Sequence, residues 1–173
     1  MDLNRLTEKS QEALHGAQAL ATRRNHQGVD VEHVLAALMD QREGLAVALL
    51  AAAGIAPSAV REGVTKELDK IPQVSGPGTQ QVYITQRLAQ LTTQAEDEAK
   101  SLKDDYVSVE HLLLAMLADT KGGAGHLLQS LGLSRAKLME ALQKVRGHQR
   151  VSSQNPETTY QALERYGRDL TQL

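Results

Sequence analysis

The string VEHVLAALM at residues 31–39 returns, almost unchanged, as VEHLLLAML at residues 109–117. Glu110 therefore lies 78 positions after Glu32. The same offset, with no gap, relates further identical pairs: Thr7 and Thr85, Ala17 and Ala95, Leu49 and Leu127, and Gly54 and Gly132. A fixed period indicates an internal duplication in which one repeat cannot bury its apolar face alone. Since only two copies are present, we expect one domain whose two similar halves share a core.

The composition is that of an ordinary globular chain and excludes several classes of site. Of the 173 residues, 41% are apolar and 23% are charged, and the formal net charge is -2. Basic residues are interspersed with acids, which argues against a nucleic-acid partner. The absence of cysteine excludes disulfides and thiolate chemistry. No apolar run approaches the roughly 18 residues of a membrane span and the first residues do not form a signal peptide, so we expect a cytoplasmic protein without a membrane partner.

Apolar spacing and capping residues predict four helices in each copy. The predicted helices cover about 6–24, 31–40, 44–54 and 57–70, and then 84–102, 109–118, 122–131 and 135–146. The predicted N-caps are Thr7, Asp30, Ser108 and Ser134, with Gly54 and Gly132 just past helix ends. The sequence thus predicts an all-α domain of eight helices in two four-helix repeats related by a pseudo-two-fold axis.

Two polar stretches organise the chain around these repeats. Repeat one is predicted at 1–71 and repeat two at 84–146, joined by a Pro- and Gly-rich linker, within a domain at 1–148. Residues 149–173 are predicted to be a linker and a tail helix that begins near Pro156. An apolar stripe follows on that helix: Tyr160, Leu163, Tyr166 and Leu170. Because no C-cap precedes Leu173, we expect the chain to be part of a longer protein.

The histidines and glycines of the chain do not form a catalytic or metal-binding motif. A helical zinc site needs His-Glu-x-x-His, and neither Glu32-His33 nor Glu110-His111 supplies the second histidine. We therefore predict structural histidines at the helix surface and no metal. The glycine cluster at 121–125 lacks the lysine of a phosphate-binding loop, so we expect no ATP binding by this chain and no catalytic residues.

The helix at 109–118 is too apolar for a single buried stripe. Four large apolar side chains follow one another closely: Leu112, Leu113, Leu114 and Met116. Either some of them line a groove between the copies, where an unfolded polypeptide could bind, or the helix is central and buried on all sides. The sequence leaves both interpretations open.

The chain resembles the amino-terminal domain and following linker of ClpB-type protein disaggregases. The resemblance rests on the doubled Val-Glu-His string, on KIPQV at 70–74 and on YQALERYGRDLT at 160–171. ClpA-type and ClpC-type unfoldases carry the same doubled domain, but the stretch at 160–171 favours the ClpB type. The likeness covers essentially the whole chain.

This resemblance implies a parent ATPase that uses ATP and Mg²⁺, assembles as a homohexamer, and disaggregates and refolds stress-denatured proteins with DnaK-type chaperones. The chain itself would be a monomeric, cofactor-free and non-catalytic module that recognises unfolded or aggregated polypeptides. The alternative is an adaptor-docking or phosphoarginine-peptide receptor domain of a ClpC-type or ClpA-type protease unfoldase.

The candidate substrate-binding residues are Thr7, Asp104, Glu110 and Glu32. The resemblance implies that the first three handle substrate in ClpB-type proteins, and that Glu32 and Glu110 match the paired glutamates by which ClpC-type proteins recognise phosphorylated arginine. The residues alone allow two interpretations. Thr7 and the glutamates either cap and neutralise the starts of their own helices, or form a shared polar patch.

Overall fold

The computed structural model describes residues 3–41, 43–75, 81–119 and 122–157. After a short 3-10 turn at Leu3–Arg5, the first repeat contains α1 (Glu8–Arg23), α2 (Val31–Asp40), α3 (Leu45–Ala52) and α4 (Pro57–Asp69). The second repeat contains α5 (Gln86–Ser101), α6 (Val109–Ala118), α7 (Gly123–Ser130) and α8 (Arg135–Arg146). Two short strands, β1 (Gly28–Val29) and β2 (Tyr83–Ile84), pair in parallel. The prediction of an all-α fold of eight helices is confirmed.

The duplication extends to the ends of the helices. Adding 78 to the bounds of α1, α2 and α3 gives the bounds of α5, α6 and α7. Thr7 and Thr85 each accept the N–H of the third residue of the following helix at 3.2 Å, so both act as N-caps. The predicted caps Asp30 and Ser108 begin α2 and α6, and in both helices the reciprocal bond of the capping box comes from a histidine, His33 or His111.

The contacts between the two repeats occur in equivalent pairs. α3 packs against α8 and α4 against α7, so the third helix of each repeat meets the fourth helix of the other. Val29 lies opposite Ile84, and Leu6 lies opposite Val107 in a single parallel bridge. These two pairings are related by the 78-residue offset. One continuous apolar cluster runs through both repeats, which confirms the expected shared core.

Helix α6 is central and buried on all sides. Leu112, Leu113, Leu114 and Met116 are all 0% exposed, so the expectation that some of them line a groove is wrong and the alternative of a fully buried helix is confirmed. Gly125 allows α7 to approach the end of α6, because a Cβ there would lie 2.3 Å from the carbonyl oxygens of Met116 and Asp119. The helices that pack around α6 come from both repeats: α1, α3, α5, α7 and α8.

Within the described ranges, no single helix is long and apolar enough to cross a membrane. Taken together, α3 and α4 meet the length and composition of a span, but the chain bends by 114° between them.

Pro156 and Glu157 are helical, at the position where the tail helix is predicted to begin, and the rest of that predicted helix lies outside the described residues. Its apolar stripe at residues 160, 163, 166 and 170 lies outside the described residues. The division of the chain at residue 148 stays a prediction. The described residues beyond it nevertheless contact the second repeat closely, with Val151 0% exposed.

Replacing Gly54 should test the backbone constraint at the end of α3. Gly54 has a φ of +83°, and no atom lies within 4 Å of the position that a Cβ would take. Gly54→Ala should therefore lower the free energy of unfolding by about 1 kcal/mol through backbone strain alone. Gly54→Asn is the matched control and should lose less, since asparagine tolerates this conformation better. Urea denaturation measures both, and wild-type stability of the alanine variant would contradict the assignment.

Candidate functional site

A carboxylate from the far end of the described chain covers the start of α6. The Thr7 hydroxyl donates to Glu157 Oε1 at 2.7 Å, and the same oxygen accepts the N–H of Val109 at 3.3 Å. Thr7 is 0% and Glu157 1% exposed. Thr7 is thus a local cap of α1, as one interpretation of the sequence held, and also a member of a buried polar cluster.

Asp104 is the most heavily hydrogen-bonded member of this cluster. Its Oδ2 accepts from His111 Nε2 at 2.8 Å, and its Oδ1 accepts from the Arg146 guanidinium and from the N–H of Val151 at 2.9 Å. Burial works to raise the pKa of Asp104, but these hydrogen bonds outweigh it and hold the pKa below its usual range. Asp104 is therefore an ionised carboxylate that ties α6, α8 and the segment after α8 together.

Glu110 lies in the same cluster without a hydrogen-bond partner for either carboxylate oxygen within the described part of the chain. Its side chain is 0% exposed. Burial and, to a smaller extent, the neighbouring Glu157 raise the pKa of Glu110 from its ordinary value of 4.5 to about 8, although Arg146 opposes the rise. Glu110 is accordingly protonated at neutral pH, because a lone buried carboxylate is costly. We call Thr7, Asp104, Glu110 and Glu157 the α6 cluster.

Glu32 belongs to a separate cluster at the start of α2. Arg87 Nη1 donates to Asp30 Oδ2 at 3.0 Å and to Glu32 Oε1 at 3.1 Å, and Arg87 Nη2 donates to Asp119 Oδ2 at 3.3 Å. Burial raises the pKa of Glu32, and Arg87 offsets part of that rise. We call Asp30, Glu32, Thr85 and Arg87 the α2 cluster.

The two histidines of the duplicated string are buried, so their prediction as surface residues is wrong. His33 and His111 are both 0% exposed. Each accepts the backbone N–H of its helix N-cap at Nδ1, which leaves Nε2–H to donate to His26 or to Asp104. His26 and Asp104 are themselves 78 positions apart. Burial lowers the pKa of His33 to about 4 and also lowers that of His111, so both rings are neutral donors.

The structure brings three of the four predicted site residues together. Thr7, Asp104 and Glu110 share the α6 cluster, whereas Glu32 lies in the α2 cluster. All four are nearly or completely buried, and their role in substrate binding stays a prediction. The sequence analysis did not identify Glu157, Arg146 and Arg87 as partners, since each meets its site from a distant part of the chain. Among the described residues, no group of three or more His, Asp or Glu is arranged to hold a metal ion.

An apolar groove, also missed from the sequence, runs between α1 and α5. It encloses about 300 Å³. Its walls include Leu14 from α1, Leu88 and Ala89 from α5, and the exposed side chains of Leu3 and Ile84. Leu3 is 49% and Ile84 59% exposed, which is unusual for large aliphatic residues in a chain whose core is otherwise closed. Ile84 was predicted to be the first residue of the helix at 84–102, but the structure places it in β2, and α5 begins only at Gln86.

Replacing Glu110 should show that its carboxyl group is protonated in the folded chain. Between about pH 5 and pH 8 the folded chain keeps this proton while the unfolded chain loses it, so the free energy of unfolding falls as the pH rises through this range. Glu110→Gln imitates the protonated acid, so its stability relative to the wild type should increase with pH and reach an advantage of about 3 kcal/mol at pH 7.

Urea unfolding of both chains at several pH values measures this difference. The control is Glu12→Gln, which removes an exposed carboxylate and should leave the pH dependence unchanged. Parallel pH profiles for the wild type and Glu110→Gln would show that Glu110 ionises normally.

Comparison with known proteins identifies the family. The model of the Clp repeat (R) N-terminal domain matches residues 5–131. The chain is 45% identical over 98% of its length to the chaperone protein ClpB of Bacillus cereus, and 46% identical over 99% of its length to that of Nitratidesulfovibrio vulgaris. In both cases it spans 20% of the length of the relative.

Solved structures share the fold. The Hsp104 N-terminal domain from Candida albicans superposes with a TM-score of 0.76 over 88% of this chain and 98% of that chain, at 24% identity. A ClpV N-domain in complex with a VipB peptide superposes with a TM-score of 0.68 over 82% of this chain and 86% of that chain, at 22% identity. With the family model and the ClpB relatives, these likenesses show that the chain belongs to the Clp repeat amino-terminal domain family and corresponds to the amino-terminal region of ClpB-type chaperones.

Proposed function

We propose that this chain is the substrate-recognition module of a ClpB-type ATP-dependent disaggregase. The parent protein would be a cytoplasmic homohexamer that uses ATP and Mg²⁺ and refolds stress-denatured proteins together with DnaK-type chaperones. The module itself would be non-catalytic and would bind unfolded or aggregated polypeptides. Because the chain spans a fifth of its ClpB relatives, each of these activities belongs to the proposal.

The observation that carries the proposal is the exposed apolar groove between α1 and α5. Unfolded segments have no fixed shape, so a module that captures many of them needs apolar surface rather than a specific set of polar contacts. Leu3 and Ile84 offer such surface at the rim, and Leu14 and Leu88 form the wall. Full burial of one aliphatic side chain contributes roughly 1.5 to 3 kcal/mol, so a groove of this size would bind weakly and reversibly.

The structural neighbours support a polypeptide ligand. One of them is a ClpV N-domain in complex with a VipB peptide, and it has the same fold as this chain. That complex concerns another protein, but it shows that a domain of this fold can bind a peptide.

The residues Thr7, Asp104, Glu110 and Glu32 remain candidates for substrate binding within this proposal. Their burial means that a substrate reaches the α6 cluster only when the segment after α8 moves away. The groove, by contrast, is open in the structure. We therefore assign first contact with an apolar substrate to the groove.

The receptor alternative is less well supported. A phosphorylated arginine needs an unoccupied site for its phosphate group, and helix N-termini are natural places for one. The start of α2 already holds the carboxylate of Asp30, and the start of α6 that of Glu157. A phosphate would have to displace these acids against charge repulsion.

Replacing Ile84 should test the groove. Ile84→Ser removes apolar surface at the rim, and we expect about a tenfold weaker affinity for reduced, carboxymethylated α-lactalbumin, a permanently unfolded probe. Tyr83→Ser is the matched control, because Tyr83 is similarly exposed at 57% but does not line the groove. NMR titration of the whole chain measures both affinities.

The same titration with free phosphoarginine separates the two functions. The proposed function expects shifts from the unfolded probe at Leu3, Ile84 and Leu88, and little response to phosphoarginine. Shifts confined to phosphoarginine and centred on Glu32 and Glu110 would support the receptor instead. Equal affinities of Ile84→Ser and Tyr83→Ser for the probe would show that the groove does not bind it.

A further inference from the structure

At the start of α2, an acid of the first repeat accepts two hydrogen bonds. Asp30 Oδ1 accepts the N–H of Val31 at 2.8 Å and the hydroxyl of Thr85 at 2.9 Å. One carboxylate oxygen thereby joins the start of α2 to the N-cap of α5. The acid is local to its repeat, since it is the N-cap of α2 itself.

The second repeat has the same two donors but lacks this acid. The residues equivalent to Thr85 and Val31 are Thr7 and Val109, and the position of Asp30 is taken by Ser108. A serine hydroxyl is too short and carries no charge. Glu157 Oε1 fills the missing role from outside the repeat, accepting from both Thr7 and Val109.

The segment that delivers Glu157 contacts both repeats; it is irregular up to Asn155 and helical at Pro156 and Glu157. The carbonyl of Val151 accepts the N–H of Asp105 at 2.8 Å, and the carbonyl of Gln154 accepts the N–H of Glu8 at 2.7 Å. The Val151 side chain is fully buried. Residues 151–157, which we call the strap, thus bind through backbone hydrogen bonds, one aliphatic side chain and one carboxylate. A separate peptide can bind a protein surface through the same kinds of contact.

The contact of Glu157 is incomplete. Its second oxygen, Oε2, has no hydrogen-bond partner within the described residues, and the same is true of both oxygens of the nearby Glu110. The two acids repel each other when both are ionised. An unpartnered, fully buried carboxyl group beside the start of α6 indicates a site that is not optimised for its present occupant.

We propose that the start of α6, with Thr7 and Asp104, is a binding site for a peptide segment that carries a carboxylate, and that the strap fills this site as a releasable internal ligand; this inference rests on the proposed function of the chain as a polypeptide-binding module. The ligand class is an acidic segment with an aliphatic residue about six positions before its acid, as Val151 precedes Glu157. This site is distinct from the apolar groove. An experiment that disproves ligand binding at one of them therefore leaves ligand binding at the other untouched.

Introducing an acid at position 108, within the second repeat, should release the strap. Ser108→Asp places a carboxylate where Asp30 stands in the first repeat, and it should take over the donors Thr7 and Val109 and repel Glu157. In the full 173-residue chain we expect the amides of Glu8, Asp105 and Val151 to exchange at least tenfold faster, while the amides of α2 and the overall melting transition are retained. Native-state hydrogen exchange measured by NMR gives each rate.

Two further variants make this test decisive. Ser134→Asp is the matched control, because it introduces the same acid at the exposed N-cap of α8, which no strap covers, and should leave the three amides protected. Glu157→Ala should accelerate the same three amides without a new acid. If these amides stay protected in both Ser108→Asp and Glu157→Ala, the strap is a fixed part of the domain and the proposal is wrong.

Addition of a free peptide tests the ligand class. A capped peptide of residues 149–157 should bind the Glu157→Ala chain about tenfold more tightly than the same peptide with glutamine in place of its glutamate, and should shift the amides of Thr7 and Val109. It should not bind the Ser108→Asp chain, whose acid position is filled. Equal affinities of the two peptides for the Glu157→Ala chain, or no binding of the acidic one, would overturn the carboxylate site.

Discussion

The structure depends on the burial of two apolar helices that neither repeat can cover alone. α6 has no exposed large side chain, and α2 is nearly as enclosed. Each helix receives part of its cover from the opposite repeat, since α3 packs on α6 and α7 packs on α2. A single repeat would leave this apolar surface in water, where each exposed aliphatic side chain costs roughly 1.5 to 3 kcal/mol. The pseudo-two-fold arrangement follows from this shared burial.

The polar groups at the starts of α2 and α6 share one arrangement, although the residues that form it differ. In both, a histidine in the first turn closes a capping box and uses its second nitrogen to hold a residue of the preceding loop. The first repeat supplies its own acid in Asp30, and Arg87 of the second repeat neutralises it. The second repeat has Ser108 instead, and the loop residue held by its histidine is Asp104 rather than His26. These substitutions leave donors at α6 that only an acid from elsewhere can satisfy.

The apolar groove and the α6 cluster therefore differ in kind. The groove lies on the surface between two helices that the duplication makes equivalent, and it is open. The α6 cluster is buried beneath residues that follow α8, and its accessibility depends on the hydrogen bonds of that segment. The two proposed binding sites therefore call for different ligands, an apolar segment for the groove and an acidic segment for the α6 cluster.

The sequence by itself determined the duplication, the eight helices, their ends and most of their caps. These features are local, because helical periodicity and N-caps such as Thr7 and Asp30 involve residues within about four positions of each other. Only the tertiary structure decided that Glu157 meets Thr7 across 150 residues, that Arg87 reaches Glu32, and that α6 is buried on every side. No periodic pattern records such contacts, since they depend on how separate elements pack and on which donors that packing leaves unsatisfied.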